Sequence, residues 1–287
     1  MFLLSAAQAF TVDREMYPFA AHTLEVDGGR LHYVDEGAGS PILFVHGTPS
    51  WSFEWRKVIT GLSGTHRCVA PDHIGYGLSD HPADWSYRPE DHAANLGRLV
   101  EALDLRDITL VVHDVGGPIG LGWAVEHTDR VRRVVAVNTF AWAVDDPKVG
   151  RIRRLLEGPL GRWMYLSLNA SPRWIVPAAL GKGHRLTPAE HAHYTEVLPT
   201  RESRIGAWRA GIELDASRDW YGRIWDRRET LADKPWDLVW GMADTTFTPT
   251  YLAQWRAAFP AASVTELAGV GHFPAEEAPD ALIAALR

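Results

Sequence analysis

Short apolar runs separated by turn residues fill both ends of this chain, and a longer helical stretch broken by prolines lies between them. Thr23 to Val26 and Arg30 to Glu36 flank Asp27-Gly28-Gly29, the turn chemistry of an antiparallel hairpin. Pro41 to Val45, Arg67 to Ala70 and Ile108 to His113 are continuous apolar runs, each succeeded by a helix-like segment; Val131 to Asn138, Leu238 to Gly241 and Ser263 to Leu267 repeat the pattern. Strands without alternation that are separated by helices predict a parallel sheet covered on both faces. In such sheets functional residues gather in the loops after the carboxyl ends of the strands.

Between Thr139 and about Arg228 the alternation stops, and Pro147, Pro159, Pro172, Pro177, Pro188 and Pro199 cut the sequence into helical pieces. Thr187-Pro188-Ala189-Glu190 predicts a helix start, with a capping-box Thr, proline at the first helical position and Glu three residues after the Thr. The chain is therefore expected to have a core made of residues 1–138 and 229–287, with residues 139–228 as a helical cap. Trp142, Trp163, Trp174, Trp208, Trp220, Trp225, Tyr165, Tyr194 and Tyr221 fall in that insertion. Singly they read as packing between cap and sheet, and together as an apolar pocket with indole and phenol donors.

Candidate chemistry centres on Asp114. Leu110-Val111-Val112-His113-Asp114-Val115-Gly116-Gly117 runs from an apolar strand through a Gly-rich turn into a helix, the layout of a nucleophile elbow. A serine there must lose a proton before it attacks, whereas a carboxylate, with a reference pKa of about 3.9, is already an anion at neutral pH. The expected reaction is displacement at carbon through a covalent aspartyl ester. His272, in the Gly-flanked loop after the last strand, is the expected base. Asp244, after the penultimate strand, is the expected acid that orients it; the rival place, the end of the Val131 strand, offers uncharged Asn138 and then only Asp145 and Asp146. His46-Gly47-Thr48-Pro49 follows the Pro41 strand, so the main-chain N–H groups of Thr48 and Val115 are the expected oxyanion donors.

Composition narrows the alternatives. At 287 residues with 46% apolar content the chain can bury a large core, and a net charge of −7 disfavours a nucleic-acid surface. Arg151, Arg153 and Arg154 read as a solvated helix face. The single cysteine, Cys68, falls in a strand and reads as a buried apolar residue in a reducing compartment. The apolar start from Met1 to Phe10 lacks a basic region and is short for a signal peptide, and no later run reaches the ~18 apolar residues of a membrane span, so a cytoplasmic location is expected. His191 and His193, two apart, would point to different faces of a helix; they read as solvent-exposed polar residues, and no metal is expected.

Six stretches resemble the α/β-hydrolase superfamily and, within it, the branch with an aspartate nucleophile that contains haloalkane dehalogenases, epoxide hydrolases and β-lactone decarboxylases. They are Leu31–Gly37, His46–Phe53, Pro71–Asp80, Val112–Pro118, Trp240–Asp244 and Gly271–Phe273, and the likeness is weak across the cap. The resemblance implies an α/β-hydrolase fold with a mostly parallel eight-stranded sheet, flanking helices and a helical cap. It also implies an Asp114/His272/Asp244 triad and two-step hydrolysis of a small apolar substrate, with no cofactor, no nucleic acid and no membrane; a homodimer is an open possibility. Haloalkane dehalogenases typically carry a Trp directly after the nucleophile and an Asn or Glu at the third place of the His-Gly-x-Pro motif, or a second Trp from the cap. This chain has Val115 and Thr48, leaving Trp163 and Trp174 as candidate halide donors from the cap. Val115 also departs from the arginine that fluoroacetate dehalogenases place there. Tyr165, Tyr194 and Tyr221 are candidate donors for epoxide chemistry. Dehalogenase-type hydrolysis is the expected activity, with epoxide or β-lactone cleavage as the alternative. A ligand-sensing protein that has lost hydrolysis is the alternative of another class.

Overall fold

A computed structural model describes residues 10–287 of the chain. The apolar start considered above lies, but for Phe10, outside the described residues. Eight strands form one sheet: β1 His22–Val26, β2 Gly29–Glu36, β3 Pro41–Val45, β4 Arg67–Pro71, β5 Ile108–Asp114, β6 Val131–Thr139, β7 Trp236–Gly241 and β8 Ser263–Leu267. Their order is β1-β2-β4-β3-β5-β6-β7-β8. The hairpin pairs antiparallel and β2 pairs antiparallel with β4, while every pairing from β4 through β8 is parallel. All seven residues of β5 are buried, as a strand covered on both faces requires. This matches the expected fold, with ends shifted by up to two residues.

Helices α1 Arg56–Leu62, α2 Pro89–Ala102, α3 Gly116–Ala124, α10 Pro249–Ala258, α11 Pro274–Glu277 and α12 Pro279–Leu286 flank the sheet. Between β6 and β7 come α4 Pro147–Glu157, α5 Pro159–Leu168, α6 Val176–Ala179, α7 Pro188–Thr195, α8 Ile205–Ala216 and α9 Arg218–Asp226. Proline opens α4, α5 and α7, where its missing N–H costs no hydrogen bond. At α7 the capping box is complete: Thr187 Oγ1 accepts from the Glu190 N–H, and the Thr187 N–H donates to Glu190 Oε2. Cys68 is buried, which pushes its thiol up to about 12.

One buried charged cluster ties α7 to the core. Arg56 is 3% exposed and pairs with Glu276 of α11 and, at 2.7 Å, with Glu190; the Tyr194 hydroxyl donates to Glu276 at 2.6 Å. His193, expected on a solvated face, is instead buried: its ring stacks on Phe53 with centroids 4.4 Å apart, and its Nε2 accepts from the Asp13 N–H. The correction has a physical source, since α7 is covered on that side by the 51–55 loop and the N-terminal segment rather than by water. His191 Nε2 lies 2.9 Å from the Pro172 carbonyl. Replacing Glu276 by Ala would leave the Arg56 guanidinium with Glu190 as its one carboxylate partner and the Tyr194 hydroxyl unpaired. Denaturant titration should show a loss of about 3 kcal/mol of unfolding free energy.

Candidate active site

Strand β5 ends on Asp114 and α3 begins two residues later, so the chain must reverse within the elbow itself. Asp114 does this with φ at +52°, in the left-handed region that aspartate tolerates better than most side chains. Its carbonyl accepts a 2.5 Å hydrogen bond from Thr139 Oγ1, which fixes the bend against β6. Two glycines make the space. A Cβ on Gly47 would stand 2.3 Å from Asp114 Cβ, and one on Gly117 would stand 1.8 Å from Thr139 Oγ1.

The loop after β3 then delivers the Thr48 N–H to Asp114 Oδ1 at 2.7 Å. On the other side, His272 Nε2 lies 3.5 Å from Asp114 Oδ2, an ion-pair distance. His272 Nδ1 lies 2.9 Å from Asp244 Oδ2. Asp244 Oδ1 accepts from the Thr246 N–H at 2.7 Å. Asn138, at the rival position for the acid, holds the acid instead: its Nδ2 donates to Asp244 Oδ2 at 2.9 Å and its Oδ1 accepts from the Gly241 N–H at 2.7 Å. Sequence reasoning weighed these two positions against each other; the fold sets them side by side.

All three ionisable groups are buried, at 6%, 5% and 3% exposure for Asp114, His272 and Asp244. Burial alone would push Asp114 up, but the imidazole of His272, the neighbouring His113 and the Thr48 N–H outweigh it and hold the carboxyl below its ordinary value. Asp244 is likewise held down against burial by His272, Thr246 and Asn138. For His272 burial works to lower the value, and the two carboxylates reverse this and raise it to about 10. At neutral pH the cluster is thus an imidazolium between two carboxylates.

Behind His272, His113 Nε2 lies 2.7 Å from the His272 carbonyl and its Nδ1 lies 2.8 Å from Glu54 Oε1, with both side chains almost fully buried. Beside Asp114 a narrow cavity opens between core and cap. Gly47 and Val115 line it beside Asp114, and Tyr221 of α9 and Ala210 of α8 close it from the cap. Of the expected donors, the Thr48 N–H reaches Asp114 Oδ1 and Val115 lines the cavity. Trp163 and Trp174 are not brought there: both lie on the outer side of the cap with about half their surface exposed, 51% and 52%, and neither lines the cavity. Tyr165 is half-buried with its hydroxyl toward Ser171, and Tyr194 is spent on Glu276. Tyr221 is the one candidate phenol that does line the cavity; burial first, then the nearby Glu213 and Asp114 carboxylates, push its pKa up. Sequence reasoning missed Tyr76, whose hydroxyl donates to the Gly206 carbonyl at 3.0 Å and lies 3.4 Å from Thr48 Oγ1, although it sits within the Pro71–Asp80 stretch. It also missed His73, His92 and Glu213, which complete the walls.

Residues 40–153 match the α/β hydrolase fold family. Haloalkane dehalogenase 2 of Mycobacterium tuberculosis is 39% identical over 281 residues, covering 96% of this chain and 97% of that protein. The cis-3-alkyl-4-alkyloxetan-2-one decarboxylase of Shewanella oneidensis is 34% identical over 279 residues, 93% of this chain and 87% of that protein. Among solved structures, the haloalkane dehalogenase DatA from Agrobacterium tumefaciens superposes with a TM-score of 0.83 at 27% identity, over 93% of this chain and 94% of that one. The elbow, the buried ion cluster and these likenesses together establish that the chain belongs to the α/β-hydrolase superfamily, in the branch of the haloalkane dehalogenases and their β-lactone decarboxylase relatives.

Proposed function

We propose that this chain is a haloalkane dehalogenase-type hydrolase for small apolar substrates, with Asp114 as nucleophile, His272 as base and Asp244 as the acid that orients the base. The observation that carries the reading is the buried Asp114 carboxylate, held as an anion with one oxygen on the Thr48 N–H and the other facing His272. An anion stripped of water and set beside a cavity is a ready nucleophile toward a carbon bearing a leaving group.

The electrostatics order the two steps. Asp114 attacks the carbon, the carbon–halogen bond breaks and halide leaves with its electron pair. The resulting ester is uncharged, so one of the two carboxylates that raise His272 disappears and burial regains weight. The imidazolium then releases its proton and His272 becomes a base. It takes a proton from water as the oxygen attacks the ester carbonyl, whose charge falls on the Thr48 and Val115 N–H groups. Alcohol departs and the imidazolium–carboxylate pair is restored; the sum is haloalkane plus water giving alcohol, halide and a proton.

β-Lactone cleavage is a second reading, favoured by one observation: Val115 brings no side-chain donor for halide, while the phenols of Tyr76 and Tyr221 line the cavity. Bromide release from 1-bromobutane and 1,2-dibromoethane, run beside consumption of a β-lactone and diol formation from styrene oxide, separates them. Bromide release is expected to be the fastest.

His272→Gln should cut turnover by about 10³-fold while the first step survives, so intact-mass spectrometry after incubation with 1-bromobutane should show one added butyl group. Asp114→Ala should show neither adduct nor bromide, and full activity in that variant would remove the nucleophile assignment. The ion cluster also predicts a pH dependence of stability. Folding raises His272 from 6.5 to about 10, so its contribution is complete below about pH 6.5 and is lost as pH rises through about 10. The gap in thermal midpoint between the wild-type protein and His272→Gln, read by scanning calorimetry, should therefore narrow from pH 6 toward pH 10.

A further inference from the structure

The cavity beside Asp114 has a polar edge that the two-step hydrolysis leaves unused. His73, in the loop after β4, and His92, on α2, both line it, with ring centroids 5.1 Å apart. The two residues are 3% and 4% exposed, and His73 Nε2 and His92 Nδ1 have no hydrogen-bond partner. Folded interiors leave few such groups, because each forfeits its hydration without return. Two of them on neighbouring rings in one cavity make an unfilled polar seat.

Charge decides what fits it. Burial holds His92 at about 3 and keeps His73 well below its ordinary value, so both rings are neutral and each offers one N–H and one lone pair. Glu213, the acid on the cap side, is already engaged by Arg209 Nη2 at 2.7 Å and by Ser217 Oγ at 2.6 Å. Among the described residues lining the cavity there is no Lys or Arg. A carboxylate would find no cation there, and an ammonium would find no free anion. A hydroxyl, which donates and accepts at once, matches two neutral imidazoles.

We propose that the His73–His92 edge is a subsite for an uncharged hydroxyl carried at the far end of the substrate from the reacting carbon, which makes short haloalcohols the preferred substrates. The inference rests on the dehalogenase-type reading for its chemistry, but its binding half can be measured without any reaction. In bromide-release assays the wild-type protein should show kcat/KM about tenfold higher for 4-bromobutan-1-ol than for 1-bromobutane. His92→Phe should bring that ratio, taken within the variant, to about one, and His92→Gln, which keeps a donor and an acceptor, should preserve it. His73→Leu gives the same test from the other ring. An unchanged ratio in both apolar variants, or 4-bromobutanoate turned over as well as the alcohol, would overturn the proposal. If no bromide appears from any substrate, the dehalogenase reading fails, and saturation-transfer NMR with hexan-1-ol then decides the subsite: about tenfold weaker binding to His92→Phe supports it, and equal binding overturns it.

Discussion

The site is organised around keeping a carboxylate ionised where water scarcely reaches. Removing such a group from water costs several kcal/mol, so an Asp114 without partners would protonate and lose the charge that the proposed attack needs. The Thr48 N–H and the His272 imidazolium offset that cost from opposite sides, one on each oxygen. The rest of the architecture serves these two contacts. β5 presents the residue, the left-handed turn lifts it clear of the strand, Gly47 lets the β3 loop approach, and the β7 and β8 loops bring up the acid and the base.

For the proposed reaction, the same arrangement explains why His272 is no base until the ester has formed. With two carboxylates in contact the imidazole is a cation and cannot accept a proton; esterification of one carboxylate alters that balance. In the proposed reaction, activation follows from the loss of one negative charge by covalent chemistry. The Glu54–His113 pair behind the base keeps the His272 carbonyl fixed while this happens, because His113 reaches that carbonyl from a fully buried position on β5.

The sheet and the three ionisable residues were legible in the sequence because each rests on a local signal: an uninterrupted apolar run, a glycine-rich turn, a histidine between glycines after the final strand. Chain order then supplied the rest of the site, which is why Asp244 could be chosen over Asn138. The cavity walls were not legible. His73, His92 and Glu213 come from a loop, a core helix and a cap helix with no shared motif, and only the packing of cap on core brings them together. Trp163 and Trp174 failed for the converse reason. Their residue type suits a halide, but α5 and the helical turn after it present them outward, and a side chain's chemistry says nothing of the face on which it lies. His193 was misjudged because the segment that buries it is distant in sequence.

The clasp between Asn138 and Asp244 has a bearing on how this architecture tolerates change. An amide at the tip of β6 and a carboxylate beyond β7 meet at 2.9 Å, one donating to the other. Exchanging the two residue types would put the negative charge a single hydrogen bond away from where it now sits and leave the amide to bridge the strands from the other bank. The carboxylate is in that sense tenanted by the gap between two strand tips rather than owned by either, since β6 supplies the amide that steadies what β7 carries.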